Sequence, residues 1–393
     1  MRLCEAEAKV LLSNAGIALP KSRLIEAGAT IDVRGFNGGV AKAQLLSGGR
    51  GKAGLVRFAV DQQSLHAEVE HLRARIAAAG KPGAVLIEER LELAAEYYLS
   101  FVIDDVLQRA VLLFSMQGGI DIEDAGDALH RLPIDPLMTL RPHHLLAFFT
   151  AAGITGKQLG ALARLACSLH RVFVDEDADM LEINPLALTK AGKLLPLDAK
   201  MVLDDSATGR HRGRCTPLSD RLEDAELTPR ERDAAALGFT FVEMPGDVAI
   251  MSAGAGMGMM LVDLVGQAGL KPACFVDGAV GSNSDQTDER LRLVFKRAES
   301  DDVKAIMFYQ TLSTRDLKPR VESLLRLLKE TPPSKPFYFG LSATYLAERN
   351  MTAKQACALM KEHGYFATSE ADELVARIKS DLSKNEQDHA NAD

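Results

Sequence analysis

Beyond about residue 238 the chain repeats one pattern: a short apolar run, then a longer stretch whose apolar side chains recur at helical spacing. The runs lie at 248–252, 273–277, 303–309, 336–341 and 364–367, each followed by roughly 10–20 residues of helical character. Adjacent parallel strands need a crossover of about that length, so the alternation predicts a doubly wound parallel sheet. Five such units suit a flavodoxin-like domain.

The first half is organised differently. Apolar residues at helical spacing over 6–14, closed by Gly16, predict a helix. From 35 to 61 short β-like runs surround a Gly-rich turn, and a helix follows to about Ala79. Strands are expected at 84–89, 97–103 and 109–116, helices at 142–152 and 157–174, and a hairpin at 180–189 and 194–203 that turns at Lys190-Ala191-Gly192. This half is α+β. A charged connector runs from about Asp204 to Leu237. Because one core stops growing near 250–300 residues, a chain of 393 residues implies two domains. The expected boundaries are 1–237, 238–382 and a disordered polar tail at 383–393.

Composition excludes several classes. A net charge of −8 argues against a nucleic-acid partner, which requires clustered Lys and Arg. The five cysteines are scattered without a CxxC pair, which fits a reducing cytoplasm or a mitochondrial matrix. Glu5 and Glu7 interrupt the N-terminus before a signal peptide can form. The run 248–262 is shorter than the ~20 apolar residues a membrane span needs.

Three segments carry candidate chemistry. In the first, Lys42 precedes Gly48-Gly49-Arg50-Gly51-Lys52-Ala53-Gly54. Such a loop offers backbone N–H groups to phosphates, with Lys42 adding a point charge and Arg50 a planar fork. A glycine-rich surface hairpin with solvated Arg and Lys is the alternative, and the spacing is not that of a Walker loop. In the second, Asn184 and Asp198 face each other across the expected hairpin and offer hard oxygens to Mg²⁺. The alternative has Asn184 capping a bulge before Pro185, and Asp198 paired with Lys200. The third is Gly254-Ala255-Gly256-Met257-Gly258, which opens a helix directly after a strand and is either an anion site or a small-residue turn for close packing. Met259 stands where a dinucleotide fingerprint needs Gly.

Together the run from Lys42 to Gly54, the pair Glu88 and Glu96, Glu182-Ile183-Asn184-Pro185-Leu186 and Leu197-Asp198-Ala199-Lys200 resemble, in order and spacing, the ATP-grasp signature of succinyl-CoA synthetase β subunits. The resemblance covers nearly the whole chain. It implies an ATP-grasp domain followed by a flavodoxin-like CoA-ligase domain, and an acid-thiol ligase that forms ADP or GDP. By the same resemblance Lys42, Gly49, Arg50, Gly51, Glu88 and Glu96 bind ATP or GTP, Asn184 and Asp198 hold Mg²⁺, and Arg50 and Glu182 act in catalysis. Glu182 would face a phosphohistidine on a separate α subunit, which also binds most of CoA, in an αβ or α₂β₂ assembly. Gly254, Ala255 and Gly256 would meet the same phosphohistidine at the acyl site.

The second half departs from the resembled pattern where the acid would bind. Ala253 replaces an Asn, Gly278-Ala279-Val280-Gly281 replaces a Gly-rich stretch, Leu312-Ser313-Thr314-Arg315 replaces a Gly-Gly-Ile-Val turn, and Ser342-Ala343-Thr344-Tyr345 replaces an Asn-rich turn. Ser313, Thr314 and Arg315 therefore become candidate contacts to a small carboxylic acid other than succinate, such as a sulfonated or hydroxylated one. A nucleotide-binding regulatory paralogue and a stand-alone ATP-grasp ligase are the rival readings.

Overall fold

The computed structural model describes residues 1–119, 129–211, 213, 216–252, 254–277, 285–313 and 315–390. The chain forms two compact units, Met1–Glu226 and Leu227–Asp393.

In the first unit the order is β1 (Arg2–Leu3), α1 (Glu5–Asn14), β2 (Ser22–Ile25), β3 (Gly39–Ala43), β4 (Val56–Ala59), α2 (Gln62–Ala78), β5 (Val85–Glu88), β6 (Leu93–Asp104), β7 (Arg109–Ser115), β8 (His130–Pro133), α3 (Pro142–Ala151), α4 (Gly156–Asp175), β9 (Ala178–Thr189), β10 (Leu194–Pro196), β11 (Lys200–Leu203) and α5 (Pro217–Glu226). Two sheets result, both antiparallel. The smaller runs β2-β5-β3-β4, and the larger runs β1-β11-β9-β6-β7-β8 with β10 also on β9.

Each sheet has its own core. Leu65, Val69, Leu72 and Ile76 bury one stripe of α2 against Ala41, Ala43, Val85 and Ile87 of the smaller sheet. That helix starts firmly because the Asp61 side chain accepts from the Ser64 amide at 2.7 Å. Against the larger sheet, α4 buries Leu162, Ala166, Leu169 and Phe173, and α3 adds Leu145 and Phe149.

The expected hairpin is present with one correction. Its second arm is not a single strand over 194–203, because pairing with β9 stops at Pro196 and resumes at Lys200. Leu197 still donates its N–H to the Pro185 carbonyl of β9 at 3.0 Å, but 197–199 lie outside the paired strand and carry Asp198 out of it.

The second unit contains α6 (Pro229–Ala236), β12 (Thr240–Glu243), β13 (Val248–Ser252), α7 (Ala255–Gln267), β14 (Pro272–Asp277), α8 (Asp285–Ala298), β15 (Ala305–Leu312), α9 (Leu317–Glu330), β16 (Phe337–Ala343), α10 (Ala353–Glu362), β17 (Phe366–Thr368) and α11 (Ala371–Ala390). Its sheet runs β12-β14-β13-β15-β16-β17. All neighbours are parallel except β12, an antiparallel edge strand that its four-residue length hid from the periodicity. Counting from β13, the parallel strands stand 2-1-3-4-5, the flavodoxin-like order. α7 and α11 pack on one face through Leu261, Val265, Leu374 and Ile378. On the other face α8, α9 and α10 pack through Leu291, Val321, Leu324 and Met360. The final helix runs to Ala390, into the polar segment for which composition suggested disorder. Lys, Gln, Glu and Ala there are good helix formers.

Candidate functional site

Between the two sheets of the first unit lies a cleft of about 920 Å³. Lys42, Gly49, Arg50, Gly51, Glu88, Glu96, Glu182, Asn184 and Asp198 all line it. Residues as far apart in sequence as Lys42 and Asp198 share it because β3 and β5 form one wall and β6 and β9 the other.

Strand β3 ends in the Gly-rich loop, and this strand-to-loop step sets the two cations. Lys42 is buried at 8% exposure, and its Nζ lies 2.9 Å from Glu5 Oε1 and 2.5 Å from Glu88 Oε2. Arg50 folds back under the loop, where Nη1 donates to the Ala43 carbonyl at 3.1 Å. Its Nη2 lies 2.8 Å from Glu5 Oε2 and 2.6 Å from Asp198 Oδ1. The surface-hairpin alternative accounts for neither cation, since both are buried among carboxylates.

The residue that joins these cations is Glu5, at the start of α1. Its carboxylate also lies 2.8 Å from Lys9, whose Nζ is 2.5 Å from Glu88. Lys9 and Lys42 both donate to the Leu197 carbonyl, which the break between β10 and β11 turns toward them. Burial by itself would raise the Glu5 pKa, but Lys42, Lys9 and Arg50 outweigh it and hold the carboxyl well below the usual range. Burial would likewise lower Lys42 and Arg50, yet their carboxylate neighbours raise both. All three are therefore charged at neutral pH. Glu5 and Lys9 escaped the sequence reading, because an i,i+4 Glu–Lys pair is usually a solvated one.

Asn184 and Asp198 occupy opposed positions, since the flanking pairs are Leu186 with Pro196 and Glu182 with Lys200. Asn184 Oδ1 accepts from the Gly119 amide at 2.7 Å. Asp198 pairs with Arg50 rather than Lys200, and at 35% exposure its side chain reaches the cleft. Among the described residues no three His, Cys, Asp or Glu side chains gather for a metal ion. Two hard oxygen donors facing a cleft that also holds the cations Lys42 and Arg50 nevertheless suit Mg²⁺, which normally completes its shell with phosphate and water oxygens. Glu182 projects from β9 and accepts from the Tyr98 hydroxyl at 3.3 Å. Burial, reinforced by Glu182, raises the Tyr98 pKa and keeps that hydroxyl a donor.

In the second unit α7 begins right after Gly254, whose φ of 92° is left-handed and open to glycine at little cost. Ala255 and Gly256 form its first turn. A Cβ on Gly258 would meet the Phe275 ring at 2.3 Å and Ser252 Oγ at 2.7 Å, so this glycine serves close packing of helix on sheet. Ser313 and Arg315 are exposed beyond β15, with the Ser313 carbonyl accepting from Thr344 Oγ1. Thr314, Ala253 and 278–281 lie outside the described residues. Cys4, Cys167, Cys274 and Cys357 are free thiols. Among the described residues no helix is long and apolar enough to cross a membrane.

A family model described as an ATP-grasp domain matches residues 2–188. The ADP-forming succinate–CoA ligase β subunit of Ignicoccus hospitalis is 32% identical over 383 residues, which cover 95% of this chain and 99% of that protein. The GDP-forming succinate–CoA ligase β subunit of Thermus thermophilus is 32% identical across 88% of this chain and 91% of its own length. Among solved structures, ATP citrate lyase from Methanothrix soehngenii in complex with citrate and coenzyme A superposes with a TM-score of 0.66 over 95% of this chain and 98% of that one. At 17% identity that likeness is one of fold.

Proposed function

The chain belongs to the family of succinate–CoA ligase β subunits, and from that premise we propose that it is the nucleotide-binding subunit of a CoA ligase that forms ADP or GDP. The observation that carries this reading is the cleft that places Lys42, Arg50, Asn184, Asp198 and Glu182 around one space. In it Lys42 and Arg50 neutralise the phosphates of ATP or GTP, with the amides of Gly49 and Gly51 beside them. Asn184 and Asp198 hold Mg²⁺, which when bound draws charge from the transferred phosphoryl oxygens. Glu88 orients Lys42, to which it is paired, and Glu96 reaches the nucleotide from the opposite wall.

Phosphoryl transfer asks mainly for positioning and fixed charge, so no residue of this chain need become covalently modified. The acceptor in this reading is a histidine of an α subunit, and Glu182 orients its ring in the cleft. The same histidine meets the first turn of α7, at Gly254, Ala255 and Gly256, when it delivers phosphate to the acid. CoA is bound mainly by the α subunit, in an αβ or α₂β₂ assembly within the cytoplasm.

The acid belongs to this proposal too. Exposed Ser313 and Arg315 stand at the carboxyl end of β15, where doubly wound sheets bind ligands. They favour an acid richer in oxygens than succinate, hydroxylated or sulfonated. The test is reconstitution: the chain alone binds Mg-nucleotide without making thioester, and adding the α subunit restores ligation. Turnover by the chain alone would sink the subunit assignment.

A further inference from the structure

Lys9 is the buried cation that the cleft does not use. Glu5, Lys42, Arg50, Glu88 and Asp198 all line the cleft, whereas Lys9, on α1 and at 3% exposure, belongs to the same ion-pair network without lining it. Its Nζ lies 2.8 Å from Glu5 Oε1 and 2.5 Å from Glu88 Oε1, and it donates to the Leu197 carbonyl at 2.8 Å. These acceptors match the full donor capacity of an ammonium group. Lys9 thereby ties α1 to the end of β5 and to the segment that carries Asp198.

The empty cleft does not require it. Glu5 already meets Lys42 and Arg50, and Glu88 already meets Lys42. Burying a further ammonium is costly, so its presence points to a second state in which it is needed. That state arises when phosphate oxygens enter. Lys42 and Arg50 are the cations of the network that line the cleft, and as they turn to phosphate they leave Glu5 and Glu88, both too buried for water to take their place. Two stranded carboxylates would then compete with phosphate for the same cations and repel it through a medium of low dielectric. A cation paired with both carboxylates but set back from the cleft removes that obstacle.

The Leu197 carbonyl leads to the same conclusion. Lys9 and Lys42 share it, so Lys9 holds the carbonyl, and with it the turn that presents Asp198, after Lys42 has left. We propose that Lys9 is a positioning residue for nucleotide binding: it stays with Glu5, Glu88 and the Leu197 carbonyl, and so releases Lys42 and Arg50 to exchange carboxylates for phosphates. This rests on the nucleotide-binding reading above and goes beyond it, because Lys9 acts through its neighbours and touches no phosphate.

Isothermal titration of the chain alone tests it, with Mg-ATP, Mg-GTP and Mg-tripolyphosphate as ligands and adenosine and guanosine as phosphate-free controls. Lys9→Met keeps the length of the side chain and removes the charge. It raises Kd for the triphosphates about tenfold or more and leaves Kd for the nucleosides unchanged, while Lys9→Arg, which keeps the charge, loses less. Equal triphosphate affinity in wild type and Lys9→Met overturns the proposal and leaves the nucleotide reading standing. An equal loss for nucleosides also overturns it, because the damage is then to the fold and not to the exchange of charges. A wild-type chain that binds no triphosphate removes the nucleotide reading, and the proposal with it. A second measurement uses the wild type and does not depend on Lys9→Met folding. It follows the ¹⁵N signals of the Lys9 and Lys42 ammonium groups, assigned by their loss in Lys9→Arg and Lys42→Arg, as Mg-tripolyphosphate is added. The Lys42 signal shifts and the Lys9 signal stays; a Lys9 signal that moves as far as that of Lys42 means that Lys9 itself goes to phosphate, and overturns the proposal.

Discussion

Glu5 holds three cations with one carboxylate, and at 2% exposure it has little water to fall back on. Glu5→Gln keeps the shape and removes the charge, leaving Lys9, Lys42 and Arg50 with Glu88 and Asp198 as their ion-pair partners. Breaking a buried network in this way costs about 3–5 kcal/mol, which urea unfolding at neutral pH will show. The pH dependence follows from the direction of the shift. Glu5 titrates lower folded than unfolded, so its contribution is complete above the unfolded value of about 4.3 and is lost as pH falls toward the folded one. The stability gap between wild type and Glu5→Gln should therefore narrow below pH ~4; a gap constant from neutral pH to acid would refute the charged hub.

Asp198 tests the other half of the cleft. Asp198→Asn removes a hard anionic donor and the Arg50 pair together, and should lower nucleotide-dependent phosphorylation of the α-subunit histidine by orders of magnitude. Asn184→Ala should be milder. A Mg²⁺ titration of the rate, run beside a thermal melt, separates metal loss from unfolding. Spacing alone left Lys42, Arg50, Asn184 and Asp198 open to bland alternatives, and it was the resemblance of several separated motifs that grouped them, as the shared cleft does. Glu5 and Lys9 were not legible, since nothing in Glu5-Ala6-Glu7-Ala8-Lys9 tells a buried i,i+4 pair from a solvated one. Glu7 was equally silent, although it caps α5 by accepting from the Leu218 and Ser219 amides at 2.8 and 2.9 Å.

At the scale of elements, legibility followed length. The apolar runs that became β13 to β17 announce themselves, because a strand buried on both faces needs continuous apolar side chains. The two-residue β1 and the four-residue β2, β8 and β12 are too short for a period to show. The gap between β10 and β11 goes with tertiary partners for the Leu197 carbonyl, which local pattern does not report. Helix–sheet contact sets a sharper test. Gly258→Ala places a methyl against the Phe275 ring and should destabilise the second unit by about 1–3 kcal/mol, read as a lowered Tm. Removing the α10 cap by Thr352→Ala, whose Oγ1 accepts from the Gln355 amide at 3.2 Å, should cost only about 1 kcal/mol. If the cap variant were the more damaging of the two, the packing account of Gly258 would be wrong.

For the molecule as a whole, the two units divide the chemistry proposed here. The first carries the cations and hard oxygens proposed for phosphoryl transfer, and the second a parallel sheet with the Thr311 and Ser342 hydroxyls near its carboxyl edge. The alternation of strand and helix made the second fold readable from sequence, whereas the acid it takes depends on side-chain placement that spacing does not reveal. The central claim is that this chain passes the γ-phosphate of a nucleotide to a histidine on another subunit. The most direct measurement mixes γ-labelled ATP or GTP and Mg²⁺ with the chain and an α subunit and follows the label. The account predicts acid-labile label on the α-subunit histidine, absent when Asp198→Asn replaces the wild-type chain or when the α subunit is left out. Label that stays on the nucleotide in the complete mixture, or thioester formed by this chain alone, would contradict it.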